Sequence, residues 1–346
     1  MKRFACECGQ RVFFEDYTCL ACRRELGFAP GLMAFLGRLP DAPDFRDSGG
    51  GSWAACSNRS ALRVCNWLVP ATDPQLLCQA CRMNRVIPNL QPLRNQELWV
   101  RMEEAKRRLV YSLLTLGLPY DGSDGRPPLG FEFMEDRRSN PQVAESFVTT
   151  GHRTGIITIN LLEADDVSRH AVREEMSERY RTLLGHFRHE SGHYFSDCLL
   201  PPGEALDEFR RLFGDERADY ADAIRRYYDA GPTPDWPTRF VSAYASAHPL
   251  EDWAECWAHY LHITDGLETA RANGLLPTDT SGDWDREVAA WIEGSVKLNE
   301  ITRSLGVDDA YPFVLNAPVR QKLAFIRRRL EAARRRPPAG AAAGVR

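Results

Sequence analysis

The distribution of cysteine is the feature that most restricts how this chain can fold. Eight of its ten cysteines lie within the first 81 residues, while Cys198 and Cys256 are isolated. In a reducing compartment, clustered cysteines bind metal more often than they form disulfides. Metal sites also stabilise small folds that lack a large apolar core. We therefore expect residues 1–90 to form short strands and metal-binding turns.

The spacing of these cysteines predicts one zinc site clearly and a second one less directly. Cys6 and Cys8 form a close pair, and Cys19 and Cys22 form another about a dozen residues later, which suits a closed tetrahedral zinc site. The second set is looser because only its last two members are separated by two residues. It consists of Cys56, Cys65, Cys78 and Cys81. Pairing across the two groups, or free or disulfide-bonded cysteines, are alternatives that spacing leaves open.

Composition and charge restrict the class of protein. Hydrophobic residues make up 43% and charged residues 27% of the chain, which is typical of a globular protein. The net charge of -4 gives no global basic surplus for a nucleic-acid partner. No stretch approaches the roughly 18 uninterrupted apolar residues of a membrane span. The N-terminus lacks an apolar signal-peptide core, so we expect a cytoplasmic protein.

Changes in composition predict four segments along the chain. Residues 1–95 form the cysteine-rich module, in which the Gly- and Ser-rich residues 47–52 are expected to be a flexible connection. Residues 96–119 are predicted to form a connecting helix, residues 120–330 the main domain, and residues 331–346 a disordered basic and Ala/Gly-rich tail.

Hydrophobic periodicity supports this division. The connecting segment has apolar residues at spacings of three and four, which indicates an amphipathic helix. They are Leu98, Met102, Ala105, Leu109, Leu113 and Leu116. Residues 129–134 and 155–161 are rich in β-formers and predict two strands. From about residue 168 the pattern is helical, with Pro-rich turns near residues 201 and 232–237.

The helical part contains the motif His189-Glu190-Ser191-Gly192-His193. Residues i and i+4 share one face of a helix, so both imidazoles can reach a single zinc ion. Glu190 is displaced around the same face, where it can accept a proton from the water that the metal activates. The alternative is a chance occurrence of this pattern on a solvated helix.

A catalytic zinc requires a third protein ligand. Glu251 and Glu255 resemble a pair in the gluzincin peptidases, in which a helix supplies a Glu ligand and an acidic or amide residue four positions later orients a ligand histidine. The second member is Glu here rather than the more usual Asp. We favour Glu251 as the ligand, with Glu255 as the alternative, and an acidic solvated face as the interpretation without a site. Tyr244 and His248 are candidate donors to the oxyanion of the reaction.

Taken together, the chain resembles a bacterial family of zinc-binding metallopeptidases with an N-terminal zinc ribbon. The matching segments are Cys6–Gly9, Cys65–Ala71, Glu104–Leu109, Gly151–His152, Ile159–Asp165, Tyr180–Tyr194 and Ser242–Pro249. The resemblance covers most of residues 1–330. It implies a bound zinc and a peptidase-like site, and it does not name a substrate.

The sequence therefore predicts an α+β fold, with a mainly helical, zincin-like domain behind a zinc-ribbon module. We expect one catalytic and one or two structural zinc ions, and hydrolysis of a peptide or protein substrate with Glu190 as general base. One alternative is a regulatory protein that contacts protein or nucleic acid through its ribbons and its Arg-rich C-terminus. Another is a zinc site that acts on a non-peptide bond or has no activity.

Overall fold

The computed structural model describes residues 1–59, 63–175, 181–278 and 282–334. The chain forms two compact units. The first comprises residues 1–115, 130–150 and 158–165, and the second comprises residues 116–129, 151–157 and 166–346. Within the described ranges, no helix has both the length and the apolar character needed to cross a bilayer. Tyr180 and the tail from residue 335 onward lie outside the described residues.

The N-terminal part of the first unit consists of short antiparallel strands. They are β1 (Phe4–Ala5), β2 (Arg11–Val12), β3 (Glu25–Ala29), β4 (Ala34–Arg38), β5 (Phe45–Arg46), β6 (Ser52–Ala55) and β7 (Leu68–Pro70). β1 pairs with β2, β3 with β4, and β6 with both β5 and β7. A cluster of aromatic rings around Phe28 fills the small core between them, as expected for strands too short to bury much apolar surface.

Residues 47–52 differ from the sequence prediction. Instead of a flexible connection, residues 47–51 form the turn between β5 and β6, and Ser52 begins β6. One carboxylate organises this turn: Oδ1 of Asp47 accepts from the backbone N–H groups of Gly49 and Gly51 at 2.9 Å each, and Oδ2 accepts from Trp53 at 2.8 Å. A Gly-rich run adopts a tight turn readily when a nearby side chain satisfies its amides.

The first unit continues with α1 (Gln79–Arg82), β8 (Asn84–Val86), α2 (Leu93–Leu116) and β9 (Gly130–Met134). All six apolar residues that predicted the amphipathic helix are buried in α2, so that prediction is confirmed. α2 belongs to the first unit up to Thr115, whereas the sequence predicted a separate connector. β8 pairs with β9 in parallel.

The two predicted strands are present as β9 and as β11 (Ile156–Asn160), and the sequence did not predict β10 (Gly151–Arg153). The strand order of this sheet is β10-β11-β9-β8. The boundary between the units passes through β11, because Ile156 and Ile157 belong to the second unit and Thr158 to Asn160 belong to the first.

The second unit is mainly helical, while most strands lie in the first unit. The chain as a whole therefore has the predicted α+β class. A short 3₁₀ turn, Leu161–Ala164, precedes its first helix. Its helices are α3 (Asp166–Glu175), α4 (Leu183–Leu199), α5 (Glu204–Phe213), α6 (Tyr220–Ala230), α7 (Trp236–Arg239), α8 (Pro249–Ala272), α9 (Trp284–Ser304) and α10 (Ala317–Arg334). α10 continues to Arg334, so the predicted tail does not begin at residue 331. Pro-rich turns separate α4 from α5 and α6 from α7, as predicted.

The pair α4 and α8 forms the centre of this unit. Thr182 caps α4 by accepting from the Gly185 amide at 3.0 Å, and Pro249 lies in the first turn of α8. Two buried indoles of α8 donate to α4: Trp253 to the Gly192 carbonyl at 2.8 Å, and Trp257 to the Ser191 hydroxyl at 3.0 Å. These bonds satisfy polar groups inside the helix interface and fix how the two helices face each other.

Candidate metal centre

The first part of the site is the face of α4 that carries the two histidines. His189 and His193 are one turn apart, and their ring centroids lie 5.0 Å from each other. His189 is buried and His193 is half-buried. The helical period alone accounts for this arrangement, because side chains at i and i+4 lie one above the other.

Glu251, in the first turn of α8, completes a set of three metal donors. One of its oxygens, Oε2, lies 3.0 Å from Nε2 of His189, and the other, Oε1, lies 3.5 Å from Nε2 of His193. The donor atoms of the three residues all lie within 4.8 Å of one another. Two imidazole nitrogens and one carboxylate oxygen are a known ligand set for catalytic zinc, so the residues present fit this ion.

Glu255 approaches the same imidazole from its other side. Its Oε1 lies 2.7 Å from Nδ1 of His189, and its Oε2 accepts from the Ser242 hydroxyl at 2.6 Å. A carboxylate on the nitrogen remote from a metal fixes the tautomer and the orientation of the ring. The geometry therefore favours Glu251 as the ligand and Glu255 as the carboxylate that orients His189, and both roles remain predictions.

The electrostatics of this group follow from burial and pairing. Burial lowers the pKa of His189, but hydrogen bonds to Glu251 and Glu255 outweigh this effect and hold the pKa well above its usual value. For Glu251, burial raises the pKa, yet the bonds to His189 and His193 hold it well below the usual range. For Glu255, burial also raises the pKa, but the hydrogen bond to His189 outweighs it, and the pKa is lowered. Without metal, the charged forms thus stabilise one another.

Glu190 lies beside the donor set and is not a member of it. Its side chain is almost fully buried, and Oε1 lies 3.6 Å from Nε2 of His186. Within the described part of the chain, Oε2 has no hydrogen-bond partner. A buried carboxylate oxygen without a protein partner is costly unless it has another role.

The two candidate oxyanion donors differ in their surroundings. The Tyr244 ring centroid lies 5.9 Å from that of His189, and burial raises the pKa of its hydroxyl. His248 caps α8: its Nδ1 accepts from the Leu250 amide at 3.1 Å, so Nε2 carries the proton and donates to the Ala218 carbonyl at 3.1 Å. With both nitrogens used, His248 has no N–H left for an oxyanion, and the contacts argue against that prediction.

Two residues at the site were missed by sequence reasoning. The hydroxyl of Tyr220 donates to Oε1 of Glu251 at 2.7 Å, and Ser242 holds Glu255 as described above. Ser242 lies in one of the segments that carried the family resemblance. Tyr220 had no comparable signal, because it lies 31 residues before its partner at no characteristic spacing.

The eight N-terminal cysteines form two local clusters. Cys6, Cys8, Cys19 and Cys22 make the first, and Cys56, Cys65, Cys78 and Cys81 make the second. Sulfur atoms lie 3.6 Å apart in the pairs Cys6–Cys22, Cys8–Cys19 and Cys65–Cys78. Four sulfurs at about 2.3 Å from a central zinc would be about 3.8 Å apart, so both clusters fit a tetrahedral ion. All ten cysteines are described, and each is free of disulfide bonds.

The clusters differ in exposure, since all four cysteines of the second are buried while Cys8 of the first is exposed. Backbone amides also point at sulfur in the second cluster, from Trp67 to Cys65 at 3.4 Å and from Cys78 to Cys56 at 3.3 Å. Such N–H groups favour thiolates over thiols. The grouping supports two separate ribbon sites rather than pairing across the groups.

Comparison with known proteins agrees with this donor chemistry. Residues 95–329 match a family described as "Putative zinc-binding metallo-peptidase", and residues 3–92 match a zinc-ribbon domain. The chain belongs to this metallopeptidase family. It is 42% identical over 338 residues to uncharacterized proteins of Mycobacterium bovis and Mycobacterium tuberculosis, with 94% of each chain covered. No solved structure matches it.

Proposed function

We propose that the chain is a zinc-dependent peptidase that hydrolyses peptide bonds with Glu190 as general base. The observation that carries this proposal is the position of Glu190. A site that only bound metal would need His189, His193 and Glu251. Glu190, which follows His189 in α4, adds a buried carboxylate with one oxygen that has no hydrogen-bond partner among the described residues. Burying such a group costs free energy, which selection tolerates most readily where the group has a chemical role.

When bound, zinc acts as a Lewis acid that polarises a carbonyl and lowers the pKa of a water molecule toward about 7. The protein's own groups have separate tasks. Glu190 accepts the proton of the attacking water and delivers it to the leaving amine. Glu255 and Ser242 hold the His189 ring in one orientation. Tyr244, close to His189, is the remaining candidate for stabilising negative charge on the substrate carbonyl.

No specific observation favours the regulatory alternative. Three arginines of α10 are engaged within the molecule: Arg327 with Glu331, Arg328 with Glu208, and Arg329 with the Leu199 carbonyl. Arg335 and Arg336, which belong to the same basic run, lie outside the described residues.

The test is the variant Glu190→Gln, which keeps the size of the side chain and removes the base. We expect full zinc content and thermal stability at least equal to that of the wild type, with peptide hydrolysis reduced at least about a hundredfold, because general-base assistance contributes about 10²–10⁴-fold. Zinc is measured by mass spectrometry, and cleavage is measured on a diverse pool of unfolded peptides. Glu204→Gln, an exposed position at the start of α5, is the matched control.

Two outcomes would contradict the proposal. Equal cleavage by the wild type and Glu190→Gln would place the activity elsewhere. Absence of cleavage by both proteins, with zinc bound at His189 and His193, would favour a non-peptide substrate or a site without activity.

A further inference from the structure

We infer that Tyr220 is a positioning residue that holds the carboxylate of Glu251 in place as a metal ligand. The inference rests on the proposed metal centre and adds a residue that family membership does not assign. Its basis is the bond of 2.7 Å from the Tyr220 hydroxyl to Oε1 of Glu251. Glu251 itself is only 1% exposed, so few other groups can reach its oxygens.

The bond distinguishes the two carboxylate oxygens of Glu251. Oε2 faces His189 at 3.0 Å, while Oε1 lies between the Tyr220 hydroxyl and His193, which is 3.5 Å away. A hydroxyl donor on one oxygen restricts rotation of the carboxylate and leaves the other oxygen directed at the imidazole. Ligand carboxylates are typically held by such hydrogen bonds, and loss of the partner weakens metal binding.

Packing of α6 does not by itself explain where Tyr220 lies. Tyr220 is the first residue of this helix, after the N-cap Asp219, and Ala223 is the only buried residue of α6. A helix with so little buried surface is weakly anchored by its own packing. Specific contacts around Tyr220 therefore contribute to its position.

His248 supplies two of these contacts. Its Nε2 donates to the carbonyl of Ala218, two residues before Tyr220, and its ring packs edge-on against the Tyr220 ring at 5.2 Å. Because His248 also caps α8 through Leu250, it connects the start of α6 to the start of α8, where Glu251 lies. In this arrangement His248 acts on the metal site through Tyr220, which gives it a role other than donation to substrate.

The experiment uses the full-length chain and measures zinc affinity by competition with a chelator. Tyr220→Phe removes only the hydroxyl, and we expect the zinc held by His189, His193 and Glu251 to bind about 10- to 100-fold more weakly, with the ribbon zinc unchanged. Tyr194→Phe is the matched control, because it removes a tyrosine hydroxyl of α4 that donates to the Pro127 carbonyl at 3.1 Å rather than to a metal donor. Thermal unfolding of the metal-depleted proteins checks that the variants remain folded.

A second variant separates positioning from general support of the fold. His248→Asn keeps a side chain that can cap α8 but loses the contacts with Ala218 and Tyr220. We expect it to weaken zinc binding when Tyr220 is present and to have no further effect in the Tyr220→Phe background. Equal, additive losses in both backgrounds would overturn the proposed route through Tyr220.

The outcomes distinguish this inference from the proposed function. Unchanged zinc affinity in a folded Tyr220→Phe protein would overturn the positioning role alone. If His189→Ala had the same zinc content as the wild type, the metal centre itself would be overturned, and the positioning role with it.

Discussion

At the scale of single residues, the site depends on how one imidazole is shared between two carboxylates. Glu251 lies at Nε2 of His189 and Glu255 lies at Nδ1. Only one of these nitrogens faces His193 and the remaining donor atoms, so the two acids are not interchangeable although they are one turn apart on α8. The different roles that we propose for the two acids rest on ring geometry and not on residue type.

This geometry leads to a ranking of two variants. Glu251→Gln should weaken zinc binding at the site more than about 100-fold, because it removes a charged ligand, whereas Glu255→Gln should weaken it about 10- to 100-fold at most. Competition with a chelator measures both. Ser242→Ala removes the donor to Glu255 and should weaken zinc binding by no more than Glu255→Gln does. If Glu255→Gln proved the more damaging change, the two roles would have to be exchanged.

At the scale of elements, the metal site is a consequence of how closely α4 approaches α8. Gly192, inside the histidine motif, lies at the contact. A Cβ built there would be 2.8 Å from the backbone Cα of Ala254 and 3.1 Å from the ring of Trp257. The absence of a side chain at Gly192 therefore permits the short distance that brings His189 next to Glu251.

We expect Gly192→Ala to push the helices apart. Overpacking typically costs about 1–3 kcal/mol of unfolding free energy, which here exceeds the gain of up to about 1 kcal/mol from the better helix propensity of Ala. Zinc affinity at His189 should fall as well. Denaturant unfolding and chelator competition measure the two effects.

Gly294→Ala in α9 is the control for this substitution. Its added Cβ would meet the end of the flexible Leu276 side chain at 3.0 Å, so the neighbour can move. The change should be neutral or, through the better helix propensity of Ala, slightly stabilising. If Gly192→Ala were as stable as the wild type, the close approach of α4 and α8 would not require a residue without a side chain at position 192.

At the scale of the whole molecule, each unit has its own set of candidate metal donors. The two cysteine clusters lie in the first unit, where short strands and an aromatic cluster provide little core. His189, His193 and Glu251 lie in the second unit, which has a helical core of its own. Metal should thus contribute to folding in the first unit and mainly to chemistry in the second.

We expect about three zinc ions per chain, with Cys8→Ser and Cys78→Ser each losing about one. Cys78→Ser should destabilise the protein more, because its cluster is fully buried and Cys8 is exposed. Mass spectrometry counts the ions, and thermal unfolding reports stability. Cys198→Ser, a buried cysteine outside both clusters, should leave the count unchanged. Full zinc content in both cluster variants would contradict the ribbon assignment.

Several features that depend on a local period were predicted from the sequence. Cysteine spacing predicted the metal-binding turns, apolar spacing predicted α2 and its buried face, and residues 189 and 193 were placed on one face by the helical repeat. Resemblance to a known family then identified Glu251 and Glu255 as the acids to consider, and the zinc ribbon that precedes them.

The contacts that join distant parts of the chain are visible only in the folded structure. His189 contacts Glu255, 66 residues away, and the carboxylate of Glu251 accepts from Tyr220, 31 residues away. The use of both His248 nitrogens, which argues against its predicted role, depends on Ala218 as well as Leu250. No periodicity encodes such pairs, because the partners meet only after helices have packed and side chains have taken particular rotamers.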